Sequence, residues 1–124
     1  MSMSDDGQKP DETQVSFRLP RGIRSQPVFP TVILEFNERT YAYLIEDQGY
    51  VIGRAEDADI SIPDANLSRY HARLEKRGNA IWISDLESTN GVYLNDLRIH
   101  AAQLYSTDMV TIGEVLLYLR EVAT

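Results

Sequence analysis

The sequence predicts an all-β fold, an antiparallel sandwich or barrel, on three observations. Short runs of β-branched, aromatic and aliphatic residues recur along the chain. Turn residues (Asn-Gly, Gly-Asn, Asn-Asp, Gly-Glu and Pro-Asp pairs) interrupt them every few positions. No stretch carries the apolar period of an amphipathic helix, so short strands packed face to face are the expected way to bury the apolar residues.

About ten runs qualify as strands. Residues 31–36 and 40–45 flank the turn Asn37-Glu38-Arg39, and residues 50–52 form a third run ended by Gly53. Residues 59–62 alternate in polarity until Pro63-Asp64 stops them. Residues 72–76 and 80–84 flank Gly78-Asn79, which reads as a tight hairpin turn. Residues 92–94 follow Asn90-Gly91, and residues 97–99 follow Asn95-Asp96. Residues 109–112 lead through Gly113-Glu114 into residues 115–121. Trp82 is expected in the core with its neighbours Ile81 and Ile83, as a large aromatic with much area to bury.

A chain of 124 residues is one domain's worth. Four of the five prolines fall in residues 1–30, which lack sustained periodicity and read as a flexible N-terminal tail; residues 31–124 read as the folded domain. The N-terminus lacks the apolar stretch of a signal peptide, and no apolar run approaches the roughly 20 residues of a membrane span. With no cysteine either, the expectation is a cytoplasmic, monomeric protein without disulfide or thiolate metal site.

The net charge is −7, and the tail is neutral because Lys9, Arg18, Arg21 and Arg24 balance Asp5, Asp6, Asp11 and Glu12. The whole negative charge therefore sits on the body. That disfavours nucleic acid and anionic membrane as partners, since both need a basic footprint. An anion bound by such a body must be held by a few local donors in a compact pocket.

Catalytic readings find little support. His71 and His100 are the only histidines, no metal-ligand spacing is present, and Ser68 and His71 lack a nucleophile elbow. No glycine-rich loop precedes a helix, so no nucleotide cofactor is expected. What remains is a set of polar residues in loops after strands: Gly53-Arg54, Asn66 to His71, Ser88-Thr89-Asn90-Gly91, and Asn95. A guanidinium, hydroxyls and amides gathered at one end of a sandwich are suited to a phosphate dianion and a peptide backbone.

In order and spacing, Gly53-Arg54, Ser68-x-x-His71, Ser88-Thr89-Asn90-Gly91 and Asn95 resemble the signature of the forkhead-associated (FHA) family. The match runs from about Val51 to Ile99, and the strand pattern extends it over residues 31–122. The resemblance implies an eleven-stranded FHA/SMAD-like β-sandwich that binds phosphothreonine peptides and catalyses nothing. By position, Arg54 and Ser68 would contact the phosphate, Thr89 would shape the pocket, and Asn90 would bond the peptide main chain. A niche for the threonine γ-methyl is expected beside Thr89-Asn90. Arg69 stands between a phosphate or backbone contact and a solvated surface arginine. Asn66 occupies the region where the family tunes selectivity for flanking residues. His71 and Asn95 are expected to brace the loops, and Gly53 and Gly91 to supply backbone permissiveness. The rival reading is a sandwich of the same fold that binds partners without phosphate.

The tail segment around Thr13 resembles the acidic-threonine stretch of small bacterial FHA regulators of the glycogen-accumulation type, with one threonine where those carry a pair. In such proteins a Ser/Thr protein kinase phosphorylates the tail and the domain binds it. A flexible chain of the 18 residues from Thr13 to Thr31 spans roughly 24 Å, enough to reach a pocket on its own domain.

Overall fold

The computed structural model describes residues 28–123, which form eleven strands and no helix. In chain order these are β1 (Val28–Phe36), β2 (Arg39–Leu44), β3 (Tyr50–Gly53), β4 (Ile60–Ser61), β5 (Ala72–Arg77) and β6 (Ala80–Asp85), followed by β7 (Val92–Leu94), β8 (Leu97–Ile99), β9 (Ala101–Leu104), β10 (Val110–Ile112) and β11 (Val115–Ala123). One sheet has the order β9-β6-β5-β3-β4 and the other β2-β1-β11-β10-β7-β8.

The inner faces bury an aliphatic core: Val32 and Leu34 of β1, Ile52 of β3, Leu74 of β5, Ile81 and Ile83 of β6, Ile112 of β10 and Leu117 of β11 are at most 1% exposed. Burying one such side chain contributes roughly 1.5–3 kcal/mol, so this layer carries the fold. Two hairpins are closed by pairs of left-handed residues, Asn37 and Glu38 (φ 54° and 66°) and Asn95 and Asp96 (φ 49° and 72°). Such turns match the right-handed twist of the strands they join, and Asn and Asp tolerate the conformation better than other side chains.

All ten runs singled out in the sequence are strands, and the differences are informative. The eleventh, β9, reads Ala-Ala-Gln-Leu and has no β-branched or aromatic residue; its ladder with β6, from Ala101↔Ser84 to Leu104↔Ile81, makes it a strand. The β3–β4 pair is parallel, through Ile52↔Ile60 and Gly53↔Ser61, whereas β3–β5, β5–β6, β7–β8, β7–β10 and β10–β11 are antiparallel. β1 begins at Val28, inside the stretch read as tail; Pro30 fits there because it serves only as an acceptor, its carbonyl taking the Ile45 N–H at 3.0 Å.

Trp82 is not a core residue. Strand alternation that turns Ile81 and Ile83 inward turns Trp82 outward, where it is half-buried with the Arg77 guanidinium 4.5 Å from its ring centroid. Arg77 also donates to Glu75 at 2.8 Å, and that hydrogen bond holds the Glu75 carboxyl below its ordinary range.

The strands β3, β4, β5 and β7 set the loops. The register Ile112↔Val92 brings the Gly113-Glu114 turn beside Asn90-Gly91, and places Met109 beside Asn95 at the other end of β7.

Candidate functional site

The loops after β3 and β4 run against each other. Arg54 N–H donates to the Ser68 carbonyl at 3.0 Å and Ala55 N–H to the Arg69 carbonyl at 3.1 Å. This approach leaves no room at Gly53, where a Cβ would collide with the Arg69 carbonyl. Gly53 is therefore required for space, not for backbone permissiveness. Gly91 does need its freedom, with φ 89°.

Arg54 is exposed and its Nε donates to the Leu67 carbonyl at 3.1 Å. That bond aims the guanidinium and leaves its outer N–H groups free; among the described residues it has no ion-pair partner. Ser68 is oriented by the opposite logic. Its Oγ accepts the Thr89 N–H at 3.0 Å, so its own hydrogen is available to a ligand. Asn90 donates one amide hydrogen to the Asn66 carbonyl at 2.8 Å, which keeps its Oδ1 and second hydrogen free. Arg54, Ser68, Thr89 and Asn90 thus gather around residues 66–69, and Asn66 sits among them.

Arg69 is exposed, its guanidinium 6.0 Å from the Tyr70 ring centroid. The Tyr70 hydroxyl donates to both Asp57 carboxylate oxygens, at 2.8 and 3.0 Å, and that bond raises the Tyr70 pKa above the ordinary phenol value while Arg69 opposes it.

Beneath the rim the bracing is buried. His71, fully inaccessible, accepts the Ser68 N–H on Nδ1 at 3.0 Å and lies 2.8 Å from the Gly91 carbonyl through Nε2. Only the neutral tautomer with the proton on Nε2 satisfies both contacts, and it ties the Ser68 loop to the Gly91 loop. Ser88 caps the second loop, its Oγ accepting the Gly91 N–H at 2.9 Å. Asp64, 3% exposed, accepts the Asn66 N–H at 2.9 Å and the Glu114 N–H at 2.7 Å, so one carboxylate fixes the β4–β5 loop to the β10–β11 turn.

Asn95 is not with this group. It lies at the other end of β7, where its side chain donates to Asp108 at 3.1 Å and accepts the Met109 N–H at 3.0 Å. Thr13 lies outside the described residues.

Sequence reasoning missed three things. Asp64 was visible only as a strand stop; its local Asx bond to Asn66 is legible in Pro63-Asp64, its bond to Glu114 is not. The Tyr70–Asp57 pair bridges 13 residues and left no signal. Arg98, opposite Tyr93 in the β7–β8 ladder, packs its guanidinium where a Cβ on Gly91 would stand, so a second arginine flanks the Asn90-Gly91 loop. A groove of 380 Å³ continues from the site, lined by Asn66, Asn90, Tyr93, Asp96, Thr111 and Gly113.

Chemically, the rim offers outward donors fixed by backbone contacts, which suits an oxyanion with several acceptor oxygens. His71 is not available to a ligand there, because both its nitrogens are engaged and the ring is buried.

A family model described as FHA domain matches residues 50–113. The chain is 45% identical over 64 residues to the ABC transporter ATP-binding/permease protein Rv1747 of Mycobacterium tuberculosis, covering 52% of this chain and 7% of that protein. It is 33% identical over 72 residues to the glycogen accumulation regulator GarA of Mycolicibacterium smegmatis, covering 58% of this chain and 46% of GarA. The chain thus spans less than half the length of these relatives. A solved structure from a study of phosphothreonine-dependent FHA domain interactions superimposes with a TM-score of 0.66 at 30% identity, over 74% of this chain and 95% of that one.

Proposed function

This chain belongs to the FHA domain family, and on that premise we propose that it is a phosphothreonine-peptide-binding module in which Arg54 and Ser68 hold the phosphate. The observation that carries the reading is the pair of outward donors fixed by backbone contacts: Arg54 by the Leu67 carbonyl, Ser68 by the Thr89 N–H. Donors fixed before the ligand arrives lose little entropy on binding. Asn90 is the group that bonds the peptide backbone, Thr89 shapes the pocket for the threonine methyl, and Arg69 is a second cation at its edge. Domains of this family are non-enzymatic phosphopeptide-binding modules.

The test is titration of a phosphothreonine peptide library against the folded protein, with dephosphorylated and phosphoserine controls. Saturable binding that needs the phosphate and weakens on Arg54→Ala supports the reading. Absence of binding by any phosphopeptide sinks it. Affinity should fall as pH drops through about 6, where the phosphate takes its second proton.

A phosphorylated Thr13 is the proposed internal ligand. Tethering gives an effective concentration near millimolar, so even a micromolar site would be occupied by its own tail. Stoichiometric phosphorylation by a Ser/Thr kinase should block an external peptide, and Thr13→Ala should abolish the block. Undiminished external binding after phosphorylation would exclude self-binding.

A further inference from the structure

The groove beside the pocket has polarity. Its near end is shared with Asn90, the proposed peptide contact, and with Asn66, and its far end is Asp96. Tyr93 and Thr111 lie side by side in the β7–β10 ladder and point away from the core, since their neighbours Val92, Val110 and Ile112 are fully buried. They form the floor. At Gly113 no side chain obstructs it. A three-residue strand such as β7 is about 10 Å long, the reach of about three residues of extended peptide.

The charges along this path are sorted. Arg54, Arg69 and Arg98 stand on the pocket side, with the Arg98 guanidinium turned against Gly91. On the groove side, Asp96 is the sole ionisable carboxylate of the lining, and Glu114 joins it at the rim, accepting from the Asn66 amide at 3.2 Å. Asp96 is exposed and among the described residues has no ion-pair partner. A phosphothreonine side chain complements the first half of this field. The second half is complemented by a long apolar stem, to lie on Tyr93, that ends in a cation.

We propose that the groove is a specificity site for a lysine or arginine flanking the phosphothreonine, with Asp96 and Glu114 as the selecting carboxylates. This rests on the phosphothreonine reading and adds to it the class of peptide: one that carries a dianion and, within about three residues, a cationic side chain.

The experiment is a set of phosphothreonine peptides with alanine flanks, in which one position at a time on either side becomes Lys, Leu or Glu, measured by fluorescence anisotropy. At one position Lys should tighten binding about threefold to fivefold over Ala, the range of a partly screened surface ion pair, and Glu should weaken it. In Asp96→Asn/Glu114→Gln the Lys-to-Ala ratio should fall to near one. Asn tolerates the left-handed turn at position 96, so the hairpin survives, as circular dichroism would verify. Added salt should shrink the ratio in the unmodified protein. A preference for Leu or Glu at every position, or a Lys advantage that persists in the double variant, overturns this inference alone. Failure of every phosphothreonine peptide to bind overturns the phosphothreonine reading and this inference with it.

Discussion

At one end of β7 the chain turns through Asn90-Gly91 and at the other through Asn95-Asp96, and both turns are tied to a distant loop by side-chain-to-backbone hydrogen bonds. The ties are arranged differently. At the Asn95 end one exposed residue does the bracing with its own side chain: Asn95 bonds Asp108 and Met109, and Asp108 takes the Tyr105 N–H at 2.8 Å. Both ends of its amide are engaged within the protein, Oδ1 by Met109 and Nδ2 by Asp108, and large apolar side chains stand exposed nearby: Leu97 at 69%, Tyr105 at 58% and Met109 at 43%. At the Asn90 end the bracing is delegated to buried groups, His71, Ser88 and Asp64. The rim residues above them keep donors unpaired and held in place. A binding site needs that division, because a donor already satisfied by the protein has little to offer a ligand.

The contrast can be broken most severely at His71. Replacing it by Ala strands the Ser68 N–H and the Gly91 carbonyl in a buried space, and should cost about 3 kcal/mol of stability or more in chemical denaturation. Phosphothreonine affinity should fall with it, since both loops lose their common anchor. Arg54→Ala should separate the two properties: about 2 kcal/mol of binding lost, roughly thirtyfold in Kd, with the denaturation midpoint essentially unchanged. Asn95→Ala should do the reverse, costing about 1 kcal/mol of stability while Kd stays put. Weakened binding from Asn95→Ala would show that the two ends are coupled.

The smallest effect concerns Tyr70. Its hydrogen bond to Asp57 raises its pKa, so the stability it contributes is present in full below the ordinary tyrosine value and lost as pH rises through the elevated one. NMR titration should find Tyr70 ionising above free tyrosine, and Asp57→Asn should bring it back. A titration indifferent to Asp57→Asn would mean that the Tyr70–Asp57 contact is not maintained in solution.

Much of the architecture is legible from local chemistry. Asn37 and Asn95-Asp96 announce hairpins because Asn and Asp side chains tolerate left-handed backbone, and the ten apolar runs are strands. The exceptions share one cause. β9 has no strand-forming residue and exists because β6 offers it an unpaired edge. Trp82 was placed inside by its size, while the alternation of Ile81 and Ile83 had already pointed it outward. Gly53 was read as a flexible position, yet its need is for space against the Arg69 carbonyl, which arrives from 16 residues later.

What the sequence determined alone was the alternation of strands and turns and the order of the loop residues Arg54, Ser68, Thr89 and Asn90, because these depend on side-chain type and on neighbours within a few positions. Only the tertiary structure decided which atoms of those residues remain free. The Ser68 hydrogen is available because a backbone N–H 21 residues away takes its oxygen, and Asp64 steadies the rim through a bond across 50 residues. The register of the strands sets such distances, and a shift of one residue in that register would carry these loops out of contact.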